Sequence, residues 1–491
     1  MSRFRVPFVF TPLLTALLAG GCAVDQKKEV EKFESVLRAN LLASESSFTF
    51  GEPLTLRQAL DLANRQNERL AIEGENYLQA LIARKRAGSA FLPTVSLSPT
   101  FSAREPVSPA GGDGNLASSS QQNSFLDVPL GGGFAMSPMS DLARLSREAR
   151  TIEERRNLLL DAQESVLLET ARVYYEVLRA ERAVEVLENS LEVQEARVRD
   201  IVGRQEAGLA RPLDVAQTEA QASATRVALI NARNDVVNGR STLALLTAAP
   251  VQGNPLVDQF VPPTSLPPLE QVQQIAEQSR RDLLAAEDGR LAARQNVEVA
   301  FGQYYPSLTL NGNLFLYRES VPDERDWDAL LRANIPIFSA GIIEQDVREA
   351  WSIYRQAAAS QSLLRRQVEQ EVEIGLQNLR TTAQRIDELE VQLQAAQAAF
   401  NQADQSYNVG LATNLERVTA QEQLLSAELQ LASARFDRTL SYLSLARATG
   451  TLRQRLEQTN VATTQPATRQ AATPDERGSL TSVRLSKTKP T

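Results

Sequence analysis

The chain has 491 residues, no histidine, one cysteine, 5 % aromatic residues and a formal net charge of −8. The lack of histidine excludes Ser-His and Cys-His catalytic pairs and, with only one cysteine, also excludes Cys/His zinc sites. Ala, Leu, Gln, Glu and Arg dominate, as in long helices, and the basic residues are not clustered as in nucleic-acid-binding proteins. Chemistry by carboxylates alone remains open, but no feature of the sequence calls for it. We predict a mainly α-helical protein with no enzymatic activity, no cofactor, no metal and no nucleic-acid partner.

The first 21 residues are predicted to be a signal peptide. A basic start, MSRFR, precedes an apolar run of signal-peptide length that ends in Gly-Gly-Cys22. This ending resembles a bacterial lipoprotein signal, in which the cysteine is acylated and becomes the first residue of the mature chain. The alternative is ordinary cleavage after small residues, with an incidental cysteine. We predict that Cys22 is lipidated, and Ala23 in place of aspartate resembles the routing signal of outer-membrane lipoproteins.

The chain after the signal is organised as two copies of one unit. An N-terminal extension at 22–53 is followed by the first copy at 54–250, a Pro-rich connector at 251–266 and the second copy at 267–452. Four residues of the first copy recur 213 residues later in the second: Leu56, Ala63, Leu70 and Pro93. The glycine of the later turn, Gly208, recurs as Gly410 after only 202 residues instead of 213. We therefore expect a shorter loop and a shorter helix in the second copy. Residues 453–491 lack apolar periodicity and are predicted to be disordered.

Each copy is predicted to begin with a helix. In the first copy Thr55 and Gln58 form a capping-box pattern before a helix that runs to Gly88. The corresponding helix of the second copy runs from about Leu269 to Phe301.

Two strand-like stretches follow this helix in each copy. In the second copy the first strand alternates Ser, Thr and Asn with apolar residues, which are Leu308, Leu310, Leu314 and Leu316. Its partner places five apolar residues on one face: Ala329, Leu331, Ala333, Ile335 and Ile337. The first copy alternates similarly, although Pro99 lies inside a strand, where proline cannot donate to the ladder. Such strands suit the wall of a membrane β-barrel, and the alternative is a soluble antiparallel sheet over a core.

A very long helix, a turn and a shorter returning helix complete each copy. The long helices are predicted at roughly 139–206 and 341–407, and the returning helices at about 213–248 and 413–449. At about 1.5 Å per residue, each long helix spans roughly 100 Å.

The order of these parts resembles that of the TolC-like outer-membrane efflux proteins, over about residues 54–452. The resemblance implies a homotrimer in which four strands per chain form an outer-membrane β-barrel and the helices form an α-barrel in the periplasm. It also implies a passive exit duct of a tripartite efflux or type I secretion system. A periplasmic adaptor would join the duct to an inner-membrane transporter, and outer-membrane lipid would surround the barrel and the Cys22 anchor.

The two Gly-Leu turns are the predicted docking tips for the adaptor. In the family this tip carries a Val-Gly-Leu-like motif that receives the hairpins of the adaptor. The residues that match it are Val409, Gly410 and Leu411 in the second copy and Gly208 and Leu209 in the first, where alanine replaces the valine. The alternative is a helix C-cap, because a capping glycine adopts a positive φ.

The resemblance also implies an acidic gate at the mouth of the tunnel. The family's gate tyrosine falls on Tyr407 and its first carboxylate on Glu416, and Asp214 holds the same position in the first copy. The second carboxylate falls on Thr419 and a gate arginine falls on Ala412, so only half of the pattern is present. The alternative is that both carboxylates cap the helices that follow them, where the helix dipole favours a negative charge.

Two other classes of protein share some of these features. A periplasmic adaptor lipoprotein carries one long hairpin, whereas this chain has two complete copies, each with its own strand pair. A structural coiled-coil lipoprotein has continuous heptads, which the loop and strand blocks interrupt here.

Drugs, metal ions and secreted polypeptides would all use a similar duct, because selection lies mainly in the inner-membrane pump.

Overall fold

The computed structural model describes residues 25–38, 49–103, 124–258, 260, 262–263, 267–319 and 326–456. The predicted signal peptide and the predicted lipidation site, Cys22, lie outside these residues. Of the tail predicted to be disordered from residue 453, residues 453–456 are helical, so the prediction is wrong there. The rest of the tail lies outside the described residues.

The helix predicted to open the first copy is two helices. Helix α1 (Gln26–Arg38) and the short strand β1 (Leu54–Thr55) precede α2 (Leu56–Gln66) and α3 (Glu68–Ser89). The predicted capping box of Thr55 and Gln58 is present at the start of α2. The prediction of one continuous helix is wrong, because Asn67 adopts an extended backbone (φ −74°, ψ 121°). The side chain of Asn67 accepts a hydrogen bond from the Arg69 amide and so caps α3.

The second copy is broken at the equivalent residue. Strand β5 (Leu256–Val257) is followed by α6 (Leu269–Ser279) and α7 (Arg281–Phe301), and Arg280 between the helices has φ −72° and ψ 120°. Asn67 donates to the carbonyl of Leu246 at 3.1 Å, and Arg280 donates to the carbonyl of Ala448 at 3.4 Å. The two donors occupy equivalent positions in the repeat, and so do the two acceptors. The same hydrogen bond therefore occurs once in each copy.

Five strands of the described residues form one antiparallel sheet: β2 (Thr94–Leu97), β3 (Thr100–Ala103), β4 (Ser124–Met136), β6 (Ser307–Arg318) and β7 (Trp327–Asn334). Strands β2 and β3 both pair with β4, and β6 lies between β4 and β7. The predicted first strand is interrupted at Ser98 and Pro99, because proline has no N–H for the ladder.

The predicted alternation of the strands is confirmed by their register. On one face, Leu310 of β6 lies between Phe134 of β4 and Leu331 of β7. On the other face, Thr309 is opposite Arg332. The sheet therefore has one apolar face and one mainly polar face, on which Leu330 lies opposite Asn311.

Two details of the predicted strands are wrong. Strand β7 ends at Asn334, so Ile335 and Ile337 do not extend its apolar face, and Pro336 between them cannot continue the ladder. The register shifts by one residue opposite Val128 and Pro129, which moves Leu316 out of the regular alternation.

The long helices form two antiparallel hairpins. Helix α4 (Pro138–Glu206) packs on α5 (Pro212–Thr247), and α8 (Ile342–Asn408) packs on α9 (Asn414–Ala448). The long members have 69 and 67 residues, close to the predicted bounds. Within the described ranges, every helix falls short of the combined length and apolarity that crossing a bilayer requires.

The largest hydrophobic core lies around the middle of the long helices. Tyr174 and Tyr175 of α4 are fully buried there. The Tyr174 hydroxyl donates to the carbonyl of Leu54 at 2.7 Å and accepts from the amide of Val257 at 3.0 Å, which fixes the parallel pair β1–β5. This core joins the two copies and leaves the sheet at one end of the helices and the turns at the other.

Candidate functional site

The turns that end α4 and α8 have the same backbone geometry. Gly208 has φ 75° and Gly410 has φ 77°, so both adopt the left-handed conformation that glycine tolerates. The amide of Leu209 donates to the carbonyl of Arg204 at 2.7 Å, and that of Leu411 donates to the carbonyl of Ser406 at 2.8 Å. These bonds form Schellman motifs, so the capping role considered from the sequence is present at both turns.

Capping alone leaves the leucines of these turns unexplained. A Schellman motif usually packs the residue after the glycine against the last turn of the helix. Leu209 and Leu411 are instead 80 % and 83 % exposed, and Val409 is 70 % exposed. A Cβ added to Gly208 or Gly410 would meet no atom within 4 Å. Each tip is therefore an open apolar surface with accessible backbone.

The two predicted gate carboxylates both lie in capping boxes. Glu416 is exposed and accepts a hydrogen bond from the Thr413 amide at 2.7 Å. Asp214 is 7 % exposed and accepts two hydrogen bonds from the Arg211 side chain, at 2.8 and 3.1 Å. These bonds lower the pKa of Asp214 below its ordinary value, so the carboxyl group is ionised but paired. The gate role of both residues stays a prediction.

Tyr407, the third predicted gate residue, lies between two arginines. The guanidinium carbon of Arg417 is 4.0 Å from the centre of the tyrosine ring, and that of Arg204 is 5.6 Å away. Arg204 belongs to the first hairpin, whereas Tyr407 and Arg417 belong to the second. The aromatic ring thus mediates a contact between the hairpins.

Asn414 makes a second contact between the hairpins. Its Nδ2 donates to the backbone carbonyl of Asp214 and to Oγ1 of Thr218, both at 3.1 Å, and its Oδ1 accepts from Arg417 Nη2 at 3.0 Å. Asn414 and Arg417 are only 2 % and 3 % exposed. Burial lowers the pKa of Arg417, because a charged guanidinium loses contact with water there.

Arg197 of α4 makes a third contact farther from the turns. It donates to the side chain of Gln421, lies 3.7 Å from Asp404 and stacks 4.7 Å from the centre of the Phe400 ring. Asn414, Arg417 and Arg197 were not predicted as site residues. The pattern of buried positions along α9 could have indicated that Arg417 lies on the buried side of the helix. Its partners, however, become its neighbours only when the two hairpins pack together.

This arrangement can present a pair of apolar tips at the ends of the two hairpins. Among the described residues, no group of three or more Asp, Glu or Cys side chains is placed to hold a metal ion.

The architecture agrees with comparisons to known proteins. The TolC outer membrane protein of Vibrio cholerae is 25 % identical over 301 residues, which are 59 % of this chain and 68 % of that protein. A probable efflux pump outer membrane protein of Pseudomonas putida, TtgC, is 23 % identical over 474 residues, covering 89 % and 94 %. The crystal structure of the outer membrane protein VceC of V. cholerae has the same fold, with a TM-score of 0.70 at 20 % identity over 80 % of this chain and 96 % of that one.

The sequence pattern of one family covers most of the chain. The pattern described as "outer membrane efflux protein" matches residues 79–249 and 272–451, which correspond to the two copies of the repeat. This chain therefore belongs to the outer membrane efflux protein family.

Proposed function

We propose that this chain is the outer-membrane exit duct of a tripartite efflux or type I secretion system. The observation that carries the proposal is a small sheet with one apolar face, placed at one end of two helical hairpins whose long arms are each roughly 100 Å. The sheet suits the membrane, and the hairpins suit a tunnel through the periplasm. Membership of an outer membrane efflux family supports a duct over a periplasmic adaptor or a structural coiled-coil lipoprotein.

A homotrimer would close the edges of this sheet. In the described residues the β2/β3 edge and β7 each have a strand neighbour on one side only. Unpaired backbone groups are too costly in lipid, so an open edge is not tolerated there. Pairing of β7 of one copy with β2 of the next closes the wall, and three copies complete the barrel that the family resemblance implies.

The proposed duct has a second attachment to the outer membrane at Cys22. The signal-like sequence before this residue supports acylation, and the chain has no other cysteine with which it could form a disulfide. The barrel and the acyl chains would then hold the protein in the same membrane independently.

The open tips are the proposed docking sites for a periplasmic adaptor, through which an inner-membrane transporter would be joined. The residues involved are Gly208, Leu209, Val409, Gly410 and Leu411. The exposure of the leucines supports this role, because a partner hairpin would remove their apolar surface from water. A trimer would present six such tips.

Glu416, Asp214 and Tyr407 are proposed to line the narrow mouth of the tunnel. The exposure of Glu416 leaves its charge available to passing cations, while Asp214 shares its charge with Arg211. We therefore assign the larger effect on ion selectivity to Glu416.

Purification of the full chain in detergent tests the function. Chemical crosslinking should saturate at three subunits, and the protein should conduct ions in planar lipid bilayers. A monomer that stays soluble without detergent and gives no conductance would favour an adaptor or a coiled-coil lipoprotein instead.

A further inference from the structure

Glu164, in the middle of α4, is a buried carboxyl group without a hydrogen bond at one oxygen. The residue is 7 % exposed, and its Oε2 has no hydrogen-bond partner among the described residues. This oxygen is 3.7 Å from Nη1 of Arg447, which also lacks a hydrogen-bond partner in the described part of the chain. The distance permits an ion pair but exceeds that of a hydrogen bond. The free-energy cost of burying these two charges is therefore not offset by a hydrogen bond between them.

Arg447 is already bonded to a second carboxyl group. Its Nη2 donates to Asp161 Oδ1 at 2.5 Å and to Ser165 Oγ at 3.2 Å. Asp161 and Glu164 are three residues apart on α4 and so share a face of the helix. Two carboxyl groups thus compete for one guanidinium, and their mutual repulsion favours a proton on one of them.

Other charged groups approach this pair from the second copy. Arg281, in the first turn of α7, and Arg453, after α9, attract the charge of Glu164, while Asp282 and Arg280 act on Asp161. A cavity of about 170 Å3 lies beside Glu164 and is lined by Arg281, Arg453 and Gly450, among others. The cavity leaves room for a side chain to change position.

These surroundings raise the pKa of Glu164 to about 7. Burial is the main cause, and repulsion by Asp161 adds to it, while attraction by Arg447 opposes it. Burial also raises the pKa of Asp161. An ordinary glutamate has a pKa of about 4.3 and is fully ionised at neutral pH, whereas Glu164 titrates there.

We propose that Glu164 is a proton-operated switch between the two copies of the repeat. When Glu164 is protonated, Arg447 pairs with Asp161 alone. When ionised, it draws the guanidinium of Arg281 across the cavity and so changes the contact between α4 of the first copy and α7 of the second. The switch rests on contacts inside one chain and is independent of docking, trimer formation and transport.

The direction of the pH effect follows from the raised pKa. The folded chain binds this proton more tightly than the unfolded chain, so Glu164 favours folding fully below the ordinary pKa of glutamate. This contribution is lost as the pH rises through about 7. The contribution of Glu164 to the free energy of unfolding is therefore larger in mild acid than in mild base.

Infrared titration of the purified full chain measures this proton directly. We expect an absorption of a buried protonated carboxyl group that disappears with a midpoint near pH 7. The absorption should be absent in Glu164→Gln, which resembles the protonated form and preserves the packing. Glu169→Gln is the matched control, because Glu169 lies on the same helix with its side chain 51 % exposed.

Arg281→Met tests whether Arg281 is a cation that stabilises ionised Glu164. Loss of a cation that ionised Glu164 recruits should move the midpoint to higher pH, by up to about one unit. The proposal fails if the wild type shows no such absorption, if Glu164→Gln retains it, or if Arg281→Met leaves the midpoint unchanged.

Discussion

Replacement of Arg417 by methionine should loosen the contact between the two hairpins at their tips. The change removes a guanidinium stacked 4.0 Å from the Tyr407 ring and its 3.0 Å hydrogen bond to Asn414. A desolvated cation–π contact contributes about 2 kcal/mol, and a hydrogen bond from a charged group about 1.5–3 kcal/mol. Removal of the Nε atom, which has no hydrogen-bond partner among the described residues, recovers about 1–3 kcal/mol. The net local loss is about 2 kcal/mol.

Hydrogen–deuterium exchange of the amides from Tyr407 to Gln421 measures this loss. A local opening free energy lowered by about 2 kcal/mol accelerates exchange about 30-fold, because 1.4 kcal/mol corresponds to a factor of about ten. Arg435→Met is the control, since it removes an exposed ion pair with Glu390 inside the second hairpin. Unchanged exchange in Arg417→Met, or equal acceleration in both variants, would refute the reasoning.

Three further predictions concern the membrane anchor, the tips and the mouth. Cys22→Ala behind a cleavable signal should abolish acyl labelling and leave the protein in the outer membrane; release of a soluble periplasmic protein would contradict the barrel. Gly410→Leu should block export while the trimer assembles, partly because a side chain at φ 77° costs about 1–2 kcal/mol. Gly203→Leu, within α4, is its control, and normal export by Gly410→Leu would reduce the turn to a cap. Asp214→Asn with Glu416→Gln should weaken cation preference and divalent block in single-channel recordings, and Glu416→Gln alone should account for most of the effect. Identical recordings would assign both residues to helix capping only.

The regular parts of the fold could be predicted because their signals are local. Glycines, prolines and capping residues mark the ends of the long helices, and both helices end within two residues of the predicted bounds. The alternation of β6 likewise predicts which side chains share a face of the sheet. The duplication strengthens both predictions, since each pattern occurs twice.

The breaks at Asn67 and Arg280 could not be predicted, because their causes are distant in the sequence. Asn67 bonds to a carbonyl 179 residues away, and Arg280 bonds to one 168 residues away. Neither residue is a helix breaker by itself, so the local pattern reads as a continuous helix. Helix α1 was missed for the same reason: the ring of its Phe33 packs against Gly74 of α3, where a Cβ would be 2.4 Å from it.

The candidate site likewise contains some residues that the sequence predicts and others that it does not. Gly208, Gly410 and their leucines are visible in the sequence because a turn between two helices requires a positive φ. The contacts of Arg417, Asn414 and Arg197 exist only after the hairpins pack side by side. The pairing of Asp214 with Arg211 also has a local signal, because the two residues are three positions apart at the start of a helix.

Thiol accessibility along β6 tests the central claim, that this sheet is the wall of a water-filled duct in the membrane. Single cysteines are placed at Thr309, Asn311 and Asn313 on the polar face and at Leu308, Leu310 and Leu314 on the apolar face, in a Cys22→Ala background that has no other cysteine. In outer-membrane vesicles, a membrane-impermeant thiol reagent should label the three polar-face positions and spare the three apolar-face positions. Equal labelling of both faces, as in a soluble sheet, or labelling of neither, as in a sheet buried within protein, would contradict the account.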